Sequence, residues 1–169
     1  MKNFIKIILL MGISLLLLIG CSSKEEEKTI DNFINKLISI KTYEGIIFGE
    51  NTDEYVEESK AIFGEYLTEE AFNTLMANRI PNFYYTVING NNVKDITDIK
   101  IVKNKETEND TYIYYEYEVS YKLKSDDKSI DMTDYMVFKV MKDNTYIIDE
   151  VYVLDKTSSI FSEYKNISQ

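Results

Sequence analysis

Cys21 is the one cysteine in this 169-residue chain, so its thiol has no partner for an internal disulfide. Lys2 and Lys6 stand at the front. The run Ile7 to Ile19 is apolar apart from Gly12 and Ser14, and the small Gly20 directly precedes the cysteine. A charged start, an apolar stretch of this length and a small residue at the boundary read as a secretory signal rather than a spanning helix. The thiol is thus expected to mark a processing site, not a redox or catalytic one. The chain has no histidine, which removes Cys/His and Ser/His pairs, imidazole zinc ligands and a histidine pH switch. No acidic loop has its glycine at the turn position of a calcium site, and the glycines lie singly rather than in a phosphate loop. No cofactor or metal is expected.

One carboxylate and one aromatic stripe remain as candidates. In strict alternation with Ile130, Met132, Met136 and Phe138, Asp134 points inward, where an unpaired carboxylate is costly or kept protonated. A bulge near Thr133–Asp134 would turn it outward, and that is the expectation. Tyr115, Tyr117 and Tyr121 line the same inward side. They read either as a pocket lining, each with a hydroxyl to orient a ligand, or as core whose hydroxyls reach the rim or backbone. Core is expected. Outward-facing Tyr112, Tyr114, Glu116 and Glu118 read as a docking strip or as ordinary cross-strand pairing, with pairing expected.

The sequence Leu18-Ile19-Gly20-Cys21 resembles the lipobox of bacterial lipoprotein signal peptides. The resemblance implies that residues 1–20 are removed, that the Cys21 thiol carries a diacylglyceryl group, and that the protein is held on the extracytoplasmic side of the cell membrane. Residues 21–28 then form the lipidated cysteine and a polar tether, or the tether is already the exposed first turn of a helix. Residues 29–154 form one domain and 155–169 a tail. The net charge is −10, and losing Lys2 and Lys6 with the signal makes it −12. Such acidity argues against nucleic acid as a partner and against adhesion to anionic lipid through protein charge. Membrane attachment therefore falls to the acyl chains on Cys21.

The elements that must position Asp134 and the tyrosines follow from periodicity. Ile30, Phe33, Ile34, Leu37 and Ile38 fall at helical spacing. Thr52 is expected to cap a second helix with Tyr55, Val56, Ile62 or Phe63, and Tyr66. Thr68 is expected to cap a third with Ala71, Phe72, Leu75 and Met76, closed by Pro81. Phe83 to Asn91 carries no clear pattern. Four strands follow: one around Ile99 and Ile101, then Tyr112 to Lys124, Ile130 to Met141, and Tyr146 to Leu154.

Helices followed by an antiparallel meander predict an α+β fold, with N-terminal helices packed on a curved sheet of about four strands. The layout, and the run Tyr135 to Glu150 with its Lys142-Asp143-Asn144 turn, is similar to the cone-shaped nuclear-transport-factor-2-like and cystatin-like domains. That resemblance implies a binding role outside the membrane, as such domains have in conjugation machinery. It also implies an enzymatic alternative, in which Asp134 beside a tyrosine works like the carboxylate and Tyr of ketosteroid-isomerase-type members. The expectation is a non-catalytic accessory protein that binds a protein, a peptide or envelope material. A solute-binding lipoprotein is a further alternative, although such receptors are usually two-lobed and longer.

Overall fold

The computed structural model describes residues 24–44, 52–143 and 145–154. Residues 1–23, with Cys21 and the expected signal, and residues 155–169 lie outside the described residues. The described chain folds as four helices followed by an open, curved, four-stranded antiparallel sheet, the α+β arrangement expected. The helices are α1 (Glu25–Leu37), α2 (Thr52–Phe63), α3 (Glu69–Ala77) and α4 (Ile80–Gly90), with a short 3-10 turn at Ile40–Tyr43. The strands are β1 (Asp95–Glu108), β2 (Tyr112–Lys124), β3 (Ser129–Met141) and β4 (Ile148–Leu154), lying side by side in chain order.

Helix α1 begins at Glu25, inside the polar run, so the reading of that run as a helix's exposed first turn is the one that holds. Glu25, Glu26 and Glu27 sit in that turn, where negative charge favours the helix dipole. Its apolar side, Ile30, Phe33, Ile34 and Leu37, is fully buried. Phe33 is the hub. Its ring meets Phe63 of α2 at 5.8 Å, Phe138 of β3 at 6.0 Å and Tyr66 at 6.3 Å, all edge-on. Edge-on pairs of this kind add to the area term.

Thr68 caps α3 as expected, its hydroxyl accepting from the Ala71 N–H at 3.2 Å. The same residue joins helix to sheet. Its N–H donates to the Ile148 carbonyl, and the Ile148 N–H donates to Tyr66 O, both at 2.9 Å.

Pro81 does not close α3. That helix ends at Ala77, and Arg79 turns the chain in the left-handed region (φ 54°), so that Pro81 falls in the first turn of α4. A proline is well placed there, because a first-turn N–H has no partner within the helix to lose. The stretch 83–91, for which no clear pattern is expected from the sequence alone, is thus mostly helix, its buried side formed by Tyr84, Val87 and Ile88 together with Ile80.

On the inner sheet face, β2 buries Ile113, Tyr115, Tyr117, Val119, Tyr121 and Leu123, the face predicted by alternation. Strand β3 supplies Met132, Met136, Phe138 and Val140. Strand β1 is a long, largely exposed edge with register breaks between Thr97 and Lys100 and between Lys103 and Lys105. Strand β4 begins at Ile148 rather than Tyr146, which turns the chain with a φ of 54°.

Candidate functional site

Strands β2 and β3 pair without interruption from Tyr112–Met141 to Lys124–Ser129, and Asp134 stands opposite Val119. The bulge expected at Thr133–Asp134 is absent. With the alternation unbroken, Asp134 keeps its inward direction and is 2% exposed. The sheet takes up its irregularity in the edge strands instead, in β1 and where β4 pairs with β3 between Lys139 and Val140, and not in the packed centre.

What makes an inward carboxylate tolerable is a pair of hydroxyls. Tyr84 Oη donates to Asp134 Oδ2 at 2.7 Å, and Tyr121 Oη donates to the same oxygen at 2.9 Å. Both tyrosines are buried. Burial pushes both phenols well above the ordinary tyrosine value, and the adjacent Asp134 carboxylate pushes them further. They therefore act as donors that keep their protons. Hydrogen bonds of this kind offset desolvation of the acid.

The cluster joins three elements: α4 through Tyr84, β2 through Tyr121 and β3 through Asp134. Tyr43 of the 3-10 turn is buried beside it and donates to the Leu37 carbonyl at 2.7 Å. Sequence reasoning missed Tyr84 because its helix was missed. Ile80, Tyr84, Val87 and Ile88 recur at helical spacing after Pro81, and that was the available signal.

The stripe divides. Tyr121 belongs to the carboxylate cluster, whereas Tyr115 and Tyr117 lie four or more residues along β2, beside Phe138 and the start of α1. Tyr117 meets Phe138 edge-on at 5.8 Å, and Tyr115 lies 6.3 Å from Tyr117. Burial and nearby acids, Glu106 for Tyr115 and Asp31 for Tyr117, raise both phenols. The Tyr115 hydroxyl is buried with no hydrogen-bond partner among the described residues.

The outer face is different in kind. Tyr112, Tyr114 and Tyr135 are half-buried, and Tyr152 is 46% exposed. Lys139 lies over the Tyr112 ring at 3.9 Å and pairs with Glu150 at 2.8 Å and Asp149 at 2.9 Å, which hold its ammonium above the usual lysine value. Tyr152 Oη donates to Glu150 at 3.0 Å. Lys105 pairs with Glu116 across β1 and β2 at 3.1 Å, so ordinary cross-strand pairing does occupy this face.

An open groove of about 660 Å³ runs between α1, the 3-10 turn and α2, lined by Asn35, Lys36, Thr42, Glu58, Ile62 and Tyr66 among others; neither Asp134 nor the stripe lines it. Among the described residues, no group of three or more acids is placed to hold a metal, and no helix is long and apolar enough to cross a membrane.

By fold, then, the described residues form an α+β arrangement whose interior acid is tied by tyrosines. No protein-family model matches the chain, and no curated protein matches it. Among solved structures it is similar to an IcmL-like type IV secretion system protein from Legionella pneumophila, at 11% identity and a TM-score of 0.44, covering 82% of this chain and 97% of that one. A likeness of that degree carries no argument about role.

Proposed function

We propose that the protein is a lipid-anchored, extracytoplasmic accessory protein whose α+β domain is a non-catalytic binding module for a protein, peptide or envelope component. The observation that carries this reading is the division of the tyrosines. Those on the inner sheet face are packed or bonded to Asp134, while Tyr114, Tyr135 and Tyr152 border solvent on the outer face among paired charges. An acid whose Oδ2 already accepts two hydroxyls is spent on holding elements together. Tyrosines are enriched at interfaces, because each offers a large rigid area with one polar end. The anchor is supported by the residues Leu18 to Cys21.

The test has two arms. Cys21→Ala should leave an uncleaved or soluble chain without incorporated fatty acid; normal acylation and membrane recovery of that variant would end the anchored reading. A photo-crosslinking residue at Tyr152 should trap an envelope component in intact cells. The same residue at Asp53, on exposed α2, should not. Equal trapping at both positions, or at neither, would sink the outer face as the binding surface.

A further inference from the structure

The way α1 joins the sheet fixes how the domain stands relative to its anchor. Lys24, the residue before α1, pairs with Glu106 near the end of β1 at 2.5 Å. One turn on, Glu27 pairs at 2.8 Å with Lys103, which also holds Glu106 at 2.9 Å. These contacts lie at the end of the sheet where β1 passes into β2 and β3 finishes, since Tyr112 pairs with Met141 and the Lys142 N–H donates to Thr111 O. The helix cannot swing away, because Ile30, Phe33, Ile34 and Leu37 are buried along its length.

Only Ser22 and Ser23 separate Cys21 from Lys24, three residue steps with a reach of at most about 11 Å. The 13-residue strand β2, at about 3.4 Å per residue, spans roughly 40 Å from this end of the domain to the other. The tether is therefore far shorter than the domain is tall.

We propose that the end of the domain formed by the start of α1, the β1–β2 turn at 109–111 and the end of β3 faces a phospholipid surface, and that the β2–β3 turn at Ser125–Lys128 is held away from it. This rests on the lipid-anchored reading above. Charge does not drive the contact: the lysines Lys24, Lys103 and Lys142 are each committed to a glutamate of the same end, the last to Glu108 at 2.9 Å. Proximity is imposed by the short tether. The outer sheet face then stands upright from the membrane, with Tyr114 nearer the lipid than Glu118.

Acylation consumes the Cys21 thiol, so an introduced cysteine is the one free thiol of the mature protein. Asp110→Cys and Asp126→Cys place a fluorophore in the exposed turn at either end, with the same change of charge. Each full-length, processed protein is reconstituted into phosphatidylglycerol and phosphatidylethanolamine vesicles carrying a nitroxide on the lipid headgroup. The label at position 110 should lose most of its emission and the label at 126 little. A flexible insertion of about 20 residues between Ser23 and Lys24, whose relaxed span of roughly 25 Å exceeds the native tether, should shrink that difference while the protein still floats with vesicles. Equal quenching at the two sites without the insertion, or the reverse order, overturns the orientation. Failure to float with vesicles at all, with no fatty acid on Cys21, overturns the anchored reading and the orientation with it.

Discussion

Asp134 carries the strongest local contest between a cost and its compensation. A carboxylate at 2% exposure is desolvated, and the Tyr84 and Tyr121 hydroxyls offset that loss by donating to one of its oxygens. Removing a donor should cost what a hydrogen bond to a charged group is worth, so Tyr84→Phe should lower stability by about 1.5–3 kcal/mol. Asp134→Ala strands two buried hydroxyls and opens space, and should cost more than either single Tyr→Phe change. Urea titration of the three single variants and of the Tyr84→Phe/Tyr121→Phe double checks this. Strict additivity of the two tyrosine losses would mean that they do not share one acceptor's strength. The inward direction of Asp134 was legible in the alternation of its neighbours. Its partner Tyr84 was not, because a long-range contact between residues 50 apart leaves no trace in local pattern.

Among the elements, β2 and β3 were readable because one face is buried and the other wet, which forces a period of two on the sequence. Strand β1 shows why that rule fails elsewhere. Two register breaks shift its period twice within 14 residues, and its largely exposed faces place little demand on apolar residues, so only Ile99 and Ile101 hinted at it. Ile99 is in fact 41% exposed. Helix α4 was hidden by a proline that ends helices in most settings but begins this one, once Arg79 has turned the chain. At this scale Thr68 is the residue to test. Its cap on α3 lies where α3 meets β4, and Thr68→Ala should cost about 1 kcal/mol. A shift of the denaturation midpoint with unchanged slope is expected. No shift would mean that the backbone bonds of Thr68, which alanine keeps, carry the junction alone.

For the whole molecule, the three buried phenols Tyr43, Tyr84 and Tyr121 set an alkaline limit. Each is held well above the ordinary value of 10.0, chiefly by burial. Below pH 10 both folded and unfolded chains keep these protons, and the fold is unaffected. Above it the unfolded chain releases them and the folded one does not, so stability falls by about 1.4 kcal/mol per pH unit for each such tyrosine. Thermal unfolding followed by circular dichroism should show the midpoint dropping steeply beyond pH 10, and less steeply in Tyr84→Phe; an unchanged slope would place that phenol in water. The same cluster governs how the protein handles light. The chain has 14 tyrosines and no tryptophan, so its near-ultraviolet emission is tyrosine emission alone. A phenol that donates to a carboxylate tends to lose its excited state by proton sharing, so Tyr84 and Tyr121 should emit little in the folded protein. Unfolding separates them from Asp134, so tyrosine emission should rise as the core is lost, a signal that needs no attached probe and that the urea titration can follow.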